Sequence, residues 1–491
     1  MTAFDLLIVG GGVNGCGIAR DAAGRGLKVL LVEQDDLAAH TSSASTKLIH
    51  GGLRYLEYYE FRLVREALIE RERLLGIAPH IIWPLRFIMP MPPAGRPAWM
   101  IRLGLFLYDH LGGRKRLPAS EGISLAGPLG AGLKPEIKRG FAYSDCWVED
   151  SRLVVLNAMD ARDRGADIRV GTRFLGATRG PNVWTARIAD GAGEQEVSAR
   201  VIVNAAGPWV DRVLGSASGA EPERAPRLVK GSHIIVPRRF TQDEAFILQN
   251  PDQRIVFAIP YETDFTLIGT TDVAWHDDPA APVIDKAEIA YLCESVNRYL
   301  ADPITPADIV RTYAGVRPLF DDGSDSAAAV TRDYVLKLGE GDAPQILSVF
   351  GGKITTYRRL AEHALEKLSP FLPKMSGDSW TAGAALPGGD IPDLDFEGFL
   401  GTVRQRWPFL TARTARRLAR AYGTRIEAIL GEARSPADLG EDLGGGLHTR
   451  EVDHLVREEW ARTADDILWR RSKLGLHVPA GTAERLERYL G

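Results

Sequence analysis

The chain opens with short apolar runs separated by small residues. Residues 6–9 form a continuous apolar run, which predicts a short buried strand. Small and apolar residues at helical spacing follow over 13–23, and a second strand-like run over 28–32, apolar from Val29 on, ends at Glu33. This order predicts a strand, a helix and a second strand, the unit that builds a parallel sheet with crossover helices.

The turn between the first strand and the helix has glycine at the spacing G-x-G-x-x-G. The first glycine permits a tight turn, the second lets the backbone approach a pyrophosphate, and the third lets the helix pack close to the strand. A carboxylate at the end of the second strand accepts hydrogen bonds from ribose hydroxyls and would repel the 2′-phosphate of NADP. The residues predicted to bind a dinucleotide here are Gly10, Gly12, Val13, Asn14, Gly15 and Glu33. NAD and FAD both remain open on this unit alone.

A second group of strands is predicted further along the chain. Residues 228–237, 254–260, 265–270 and 309–316 have strand character and alternate with polar turns, as in an antiparallel sheet. A helix over 287–300 presents Ile289, Leu292 and Val296 on one face. These elements predict an α+β layer that covers the nucleotide site.

Composition narrows the class of protein. The 491 residues contain 60 Lys and Arg against 64 Asp and Glu, a formal net charge of −4, and 45% are hydrophobic. This is an ordinary globular chain of two or three domains, with no excess positive charge that would favour nucleic acid. Three separated cysteines favour a reducing compartment, and no cysteine or histidine cluster predicts a metal site. The early first strand leaves no room for a signal peptide, and no apolar run reaches the 18 residues of a membrane-spanning helix.

Residues 41–55 are rich in hydroxyl and small side chains, a composition that alone favours a surface loop. Together with residues 57–63, however, they resemble the FAD-dependent respiratory glycerol-3-phosphate dehydrogenases of bacteria. The resemblance recurs in blocks that span nearly the whole chain, at residues 133–140, 143–147, 230–233, 269–272, 315–318 and 351–358.

The resemblance implies a fold and an activity. The fold is an α/β flavoprotein of the glycine and amino-acid oxidase type, with a Rossmann-like FAD domain (residues 1–80, 146–228 and 346–375), an antiparallel-sheet substrate domain (81–145 and 229–345) and a C-terminal helical cap (385–491). The activity is oxidation of sn-glycerol 3-phosphate to dihydroxyacetone phosphate by hydride transfer to FAD N5, with a membrane quinone as electron acceptor. An oxidase that uses oxygen, an amino-acid oxidase and a non-catalytic flavin-binding protein are the alternatives.

The resemblance also implies site residues. The further FAD-binding residues are Thr41, Ser42, Ser43, Lys47, Leu48, Ile49, His50, Gly207, Lys353, Thr355 and Thr356. A phosphorylated polyol needs arginine forks for its phosphate, and a secondary alcohol needs a base for its hydroxyl proton. The predicted substrate-binding residues are Arg54, Tyr55, His233, Thr270, Arg317, Arg332 and Lys353, of which His233, Arg317 and Arg54 are predicted to be catalytic.

Residues 83–116 combine aromatic rings with basic side chains. The aromatic residues are Trp83, Phe87, Trp99, Phe106 and Tyr108, and the basic ones are Arg86, Arg96, Arg102, Arg114, Lys115 and Arg116. Such a segment is either a core helix with solvated arginines or a surface that docks on anionic lipid. The resemblance favours docking, and we expect a peripheral homodimer on the cytoplasmic side of the inner membrane.

Overall fold

The computed structural model describes residues 3–92, 97–218, 226–320, 333–339 and 344–491. Its strands are β1 (Ala3–Val9), β2 (Val29–Glu33), β3 (Leu48–Ile49), β4 (Ile82–Pro90), β5 (Glu121–Ser124), β6 (Arg139–Val148), β7 (Asp167–Val170), β8 (Arg173–Arg179), β9 (Trp184–Asp190), β10 (Gly193–Asn204), β11 (Ala217–Ser218), β12 (Arg227–Pro237), β13 (Ala245–Gln249), β14 (Ile255–Tyr261), β15 (Phe265–Gly269), β16 (Val273–Ala274), β17 (Arg311–Leu319), β18 (Val335–Leu338) and β19 (Ile346–Phe350). Its α-helices are α1 (Val13–Gly24), α2 (Phe61–Ile77), α3 (Ala98–Leu111), α4 (Asp150–Asp163), α5 (Val210–Gly215), α6 (Lys286–Asn297), α7 (Tyr357–Leu368), α8 (Phe396–Arg406), α9 (Ala412–Tyr422), α10 (Ile426–Leu430), α11 (Thr449–Glu459) and α12 (Thr482–Leu490).

The first sheet is built around parallel strands in the order β7–β2–β1–β10–β19. All five residues of β2 are buried, as expected for an interior strand of a parallel sheet that is covered on both faces. Helices α1, α4 and α7 pack together on one face of this sheet. The predicted strand–helix–strand unit is confirmed.

Among the described residues the second sheet has ten strands, with β12 paired on opposite edges with β15 and β17. The predicted antiparallel strands correspond to β12, β14, β15 and β17, and the predicted helix corresponds to α6. The two-residue strand β3 crosses from the nucleotide-binding part to this sheet and pairs with β6. The loop before β3 therefore lies at the junction of the two sheets.

The C-terminal helices form a third layer with its own hydrophobic core. Buried charges attach this layer to the rest of the chain. Arg152 on α4 forms an ion pair with Glu459 on α11, and Arg471 forms one with Asp36, which follows β2. These contacts place the C-terminal layer against the nucleotide-binding sheet. The residue ranges expected for the three domains stay a prediction.

Residues 83–116 do not form one continuous surface, so this part of the sequence interpretation is wrong. Phe87 on β4 is fully buried, and Tyr108 is buried with its hydroxyl donated to Asp145. Arg86 and Arg102 form hydrogen bonds with protein groups, Arg86 with Glu121 and Arg102 with Ser120, and Trp83 lies beneath the Arg420 guanidinium. Arg96 is outside the described residues.

The outer face of α3 does carry exposed apolar side chains. Trp99 is 70% exposed, and Met100, Leu103 and Phe106 are also exposed. The neighbouring short 3₁₀ helix Leu53–Tyr58 packs against α3 and is followed by exposed Tyr59 and Phe61. We call the set Tyr58, Tyr59, Phe61, Trp99, Met100, Leu103 and Phe106 the aromatic patch. None of the helices within the described residues has the length and apolar character needed to cross a membrane.

Candidate active site

Two adjoining cavities open along the carboxyl end of the first sheet. One has a volume of about 620 Å³ and lies against the turn after β1, and the other has a volume of about 400 Å³ and lies against the second sheet. Val13, Thr41, Ser42 and Gly351–Gly352 line both. The position matches the crevice in which open α/β sheets bind nucleotides.

The larger cavity has the features of a dinucleotide cradle. Gly10 has a φ of +113°, and a Cβ there would lie 2.5 Å from the Ala205 carbonyl oxygen. The Glu33 carboxylate accepts hydrogen bonds from the backbone N–H groups of Gly11 (2.7 Å) and Asp35 (2.8 Å) and faces this cavity. Burial raises the pKa of Glu33 above its ordinary value, although these two donors oppose the shift.

The N-terminus of α1 has room for a further acceptor. Val13 N–H donates to Ser42 Oγ (3.0 Å), and the Asn14 side-chain amide donates to the Gly351 carbonyl (3.1 Å). Asn14 Oδ1 is buried without a hydrogen-bond partner among the described residues. A helix N-terminus and an unused polar atom beside a long cavity fit a dinucleotide with its pyrophosphate at this end.

A buried ion pair supports the loop that precedes β3, on the side of the loop that faces away from the two cavities. Lys47 Nζ lies 2.8 Å from Asp150 Oδ2 and 3.0 Å from the Ser43 carbonyl, and it does not line either cavity. The carboxylate of Asp150 also accepts from Ser45 Oγ (2.8 Å) and lies 3.4 Å from Lys473 Nζ of the C-terminal layer. Lys47 therefore supports the shape of the loop through Asp150.

His50 follows β3 directly and lies on the wall of the smaller cavity. Its backbone N–H donates to Thr355 Oγ1 (3.2 Å), and the Thr355 hydroxyl lies 3.3 Å from its carbonyl. Burial, and then the charges of Lys353 and Arg71, lower the pKa of His50 to about 3. His50 is therefore a neutral group at physiological pH.

His233 on β12 faces the same cavity from the second sheet. Its Nε2 lies 3.0 Å from Thr46 Oγ1, and its ring stacks on Tyr313 with 4.6 Å between centroids. Burial, and then the charges of Arg317 and Lys47, hold the pKa of His233 well below its ordinary value. The imidazole is therefore neutral at physiological pH, the form that can accept a proton.

Arg317 on β17 lies next to His233 and is held by the turn after β15. Its guanidinium forms an ion pair with Asp272, and its Nη2 lies 3.2 Å from Thr270 Oγ1. The guanidinium crosses the backbone at Gly231, where a Cβ would lie 2.1 Å from Nη2. A side chain at position 231 would therefore displace the Arg317 guanidinium from this place.

Two further cationic side chains, Arg54 and Lys353, line the same cavity. Arg54 donates to the Tyr58 hydroxyl (3.2 Å), and Lys353 Nζ lies 3.7 Å from the centroid of the Tyr55 ring. The cavity they share with Arg317 also has Arg254 on its walls, so four cationic side chains and the two neutral histidines, His50 and His233, line it. Such an arrangement suits a small substrate with an anionic group.

The structure brings most of the predicted site residues to these two cavities. Those that line a wall are Gly10, Gly12, Val13, Asn14, Glu33, Thr41, Ser42, Leu48, His50, Arg54, Tyr55, Gly207, His233, Thr270, Arg317 and Lys353. Those that lie behind the walls are Gly15, Ser43, Lys47, Ile49, Thr355 and Thr356. Arg332 is outside the described residues.

Sequence reasoning missed several side chains that shape the site. Asp150 supports Lys47, Tyr313 stacks on His233 and donates to the Ser45 carbonyl, and Glu288 supports the turn that holds Arg317. Asp150 and Tyr313 lie more than 100 residues from the loop that they support. No local spacing could have identified them.

Two known families cover the chain. Residues 5–358 match the family described as FAD dependent oxidoreductase, and residues 379–489 match the C-terminal domain of alpha-glycerophosphate oxidase. The first match ends at the start of α7, and the second begins between α7 and α8, ahead of the helices of the C-terminal layer.

Individual proteins resemble the chain over nearly its whole length. A glycerol-3-phosphate dehydrogenase of Pseudomonas aeruginosa is 54% identical over 99% of this chain and 95% of its own. A D-erythritol 1-phosphate dehydrogenase of Brucella abortus is 51% identical over 96% of this chain and 95% of its own. The crystal structure of a glycerol-3-phosphate dehydrogenase from Bacillus halodurans complexed with FAD is similar with a TM-score of 0.80 and 25% identity, over 100% of this chain and 90% of that one.

These similarities confirm the predicted flavoprotein fold and identify FAD as the dinucleotide, which the cradle at Gly10 and Glu33 fits. They also decide between NAD and FAD, which the first strand–helix–strand unit left open. The chain belongs to the FAD-dependent oxidoreductases of the glycerol-3-phosphate dehydrogenase family.

Proposed function

We propose that this enzyme oxidises sn-glycerol 3-phosphate to dihydroxyacetone phosphate with FAD as the hydride acceptor. The observation that carries the proposal is the convergence of Arg54, Arg317 and Lys353 with neutral His233 on one cavity of about 400 Å³ that adjoins the nucleotide cradle. The high similarity to a glycerol-3-phosphate dehydrogenase over 99% of the chain supports the same substrate.

Different residues of the cavity act on the phosphate and on the C2 hydroxyl of the substrate. Arginine forks bind a phosphate through paired hydrogen bonds, so Arg317 and Arg54 hold the phosphate end. His233, which is neutral, accepts the proton of the C2 hydroxyl while the C2 hydrogen leaves as hydride. FAD, when bound, supplies the hydride acceptor. Thr270 and Tyr55 complete the walls of this cavity, and Lys353 adds positive charge beside the Tyr55 ring.

The experiment that tests the substrate is anaerobic titration of the FAD-loaded enzyme. We expect stoichiometric loss of the visible flavin absorption with sn-glycerol 3-phosphate and no change with glycine or other amino acids. Loss of absorption with an amino acid, and none with the phosphorylated polyol, would favour an amino-acid oxidase and refute the proposal.

D-Erythritol 1-phosphate is a second candidate substrate. The relative from Brucella abortus acts on this four-carbon polyol phosphate by its name, and its identity of 51% is close to that of the glycerol-3-phosphate dehydrogenase from Pseudomonas aeruginosa. Both substrates carry the phosphate and the secondary alcohol that the cavity suits. The ratio of the two kcat/KM values distinguishes them.

A membrane quinone is the proposed electron acceptor, and oxygen is the alternative. Stopped-flow mixing of the reduced enzyme with a soluble quinone analogue and with air-saturated buffer separates the two. We expect reoxidation by the quinone to be the faster reaction, and rapid reoxidation by oxygen alone would identify an oxidase.

The His233→Asn variant is expected to reduce FAD about 10²- to 10⁴-fold more slowly at saturating substrate, because a general base contributes about that factor. In the unmodified enzyme the reduction rate should stay constant as the pH falls through 6.5, because the pKa of His233 lies well below its ordinary value. Stopped-flow reduction between pH 5 and 8 measures both effects. His448→Asn, on the C-terminal layer, is the control, and an unchanged rate for His233→Asn would contradict the assignment.

We also propose that the aromatic patch docks on an anionic membrane at the cytoplasmic face of the inner membrane. Exposed Trp99 and Phe106, with Lys115 just beyond the end of α3, match the headgroup region of such a surface. The 3₁₀ helix that carries Arg54 and Tyr55 also carries Tyr58 of the patch, so docking brings the substrate cavity close to the lipid and its quinone. The homodimer expected from the sequence stays a prediction.

Replacing both Trp99 and Phe106 with Ser is expected to weaken binding to phosphatidylglycerol vesicles at least tenfold, because burial of each large apolar side chain contributes about 1.5–3 kcal/mol. Vesicle co-sedimentation at low salt measures the effect, and catalysis with a soluble quinone should remain. Val456→Ser, an exposed apolar residue of α11, is the control. Equal sedimentation of all three proteins would refute docking through the patch.

A further inference from the structure

The buried carboxylate of Glu288 supports two parts of the substrate cavity, the strand that carries His233 and the turn that holds Arg317. Glu288 lies in the first turn of α6, is 4% exposed, and does not line the cavity. Its Oε1 accepts hydrogen bonds from Ser232 Oγ (2.8 Å) and from Thr271 Oγ1 (2.6 Å). Ser232 lies in the middle of β12 and Thr271 in the turn after β15, so a single oxygen atom joins two separate segments of the chain.

Each of these hydroxyl residues is next to a residue of the site. Ser232 immediately precedes His233, and Thr271 lies between Thr270 and Asp272, the two side chains that hold Arg317. The Thr271 hydroxyl oxygen also accepts from the Ser232 backbone N–H (2.9 Å). The base and the phosphate-binding arginine are therefore connected through Ser232, Thr271 and Glu288.

The position of Glu288 is itself fixed by its other oxygen and by its helix. Glu288 Oε2 lies 2.8 Å from Lys230 Nζ and 3.0 Å from the Asp285 backbone N–H, which donates to it. Asp285 in turn caps α6 by accepting from the Glu288 backbone N–H (2.8 Å). The start of the helix thus fixes the carboxylate that holds both β12 and the turn after β15.

We propose that Glu288 is a positioning residue that sets the spacing between His233 and Arg317, so that the alcohol and the phosphate of one substrate molecule reach both. This inference rests on the proposed function. Small errors of placement are costly in catalysis, because the reacting groups must meet at near-contact distances. Loss of the link should raise KM through Arg317 and lower kcat through His233.

A purely stabilising role predicts a different result. A buried, fully hydrogen-bonded carboxylate also contributes to folding, and its loss could lower the melting temperature without changing the site at 25 °C. The test therefore needs a variant that preserves shape, and a control that destabilises the same helix at a distance from the site.

Thr271→Val is the most informative variant, because valine has the shape of threonine but can neither donate to Glu288 nor accept from the Ser232 backbone N–H. We expect kcat/KM for sn-glycerol 3-phosphate to fall about tenfold or more, with inorganic phosphate a weaker competitive inhibitor. Glu288→Gln keeps an oxygen that accepts from the two hydroxyls, but its amide nitrogen then faces Lys230. Its kcat/KM should therefore lie between those of Thr271→Val and the unmodified enzyme. Asn297→Ala is the control, because it removes two hydrogen bonds to Ile304 at the far end of α6.

Coupling to Arg317 gives a second readout that stability does not affect. In the Arg317→Lys background the loss from Thr271→Val should be smaller than in the unmodified background, because both changes act on the same phosphate contact. FAD content and melting temperature are measured for every variant. Additive losses, or kinetics for Thr271→Val that match those of Asn297→Ala, would overturn the positioning role. If the unmodified enzyme in this assay does not oxidise sn-glycerol 3-phosphate, the proposed function fails, and this inference fails with it.

Discussion

Arg317→Lys is expected to lower kcat/KM for sn-glycerol 3-phosphate about 100-fold or more, equivalent to about 2.7 kcal/mol of transition-state stabilisation. The Arg317 guanidinium pairs with Asp272, contacts the Thr270 hydroxyl and also lines the cavity. Lysine keeps the charge, but its ammonium is a point donor and cannot hold the carboxylate and a phosphate in one plane. Steady-state kinetics with a soluble quinone measures the loss, most of which should appear in KM.

The matched control is Arg298→Lys, because Arg298 forms an exposed ion pair with Glu294 on α6 and lies away from the cavity. Its kinetics should stay within about twofold of the unmodified enzyme, since exposed ion pairs contribute little. Inorganic phosphate should inhibit Arg317→Lys more weakly than it inhibits the control. If Arg317→Lys retained full kcat/KM and normal phosphate inhibition, Arg317 would not be a phosphate ligand.

The nucleotide cradle could be predicted from local sequence because its requirements are local. Gly10 must have a positive φ and lie close to Ala205, and only the glycine spacing after a buried strand meets both demands. Glu33 was identifiable from its place at the end of β2. By contrast, His233 and Arg317 follow from no spacing rule, and only the resemblance singled them out among the histidines and arginines of the chain.

Composition failed where the direction of a side chain decides its role. Phe87 and Phe106 belong to the same aromatic segment, yet Phe87 is fully buried in the second sheet and Phe106 is exposed on α3. Lys47 lies in the loop before β3, but its ammonium group points away from the cavity and pairs with Asp150 on α4. Both outcomes depend on how distant elements pack, which a pattern of residue types does not contain.

Arg152→Met is expected to lower the free energy of unfolding by about 3–5 kcal/mol, because it leaves the charge of Glu459 buried without its main partner. Arg152 is 1% exposed, and its guanidinium donates to both oxygens of Glu459 and to the Ala421 carbonyl (2.7 Å). These contacts join α4 of the nucleotide-binding part to α9 and α11 of the C-terminal layer. Urea unfolding followed by tryptophan fluorescence measures the change, with FAD release recorded in the same experiment.

The double variant Arg152→Met/Glu459→Met separates the cost of an unpaired charge from the loss of packing. Because removing both partners leaves no isolated charge, the double variant should be more stable than Arg152→Met alone. Arg406→Met, which breaks an exposed pair with Glu427, should change the unfolding free energy by less than about 1 kcal/mol. If Arg152→Met had as small an effect as Arg406→Met, the C-terminal layer would be attached by its apolar contacts and by Arg471 with Asp36. Early FAD release from Arg152→Met would instead show that attachment of the C-terminal layer also holds the nucleotide cradle in place, because Asp36, the partner of Arg471 in that layer, lies three residues after Glu33.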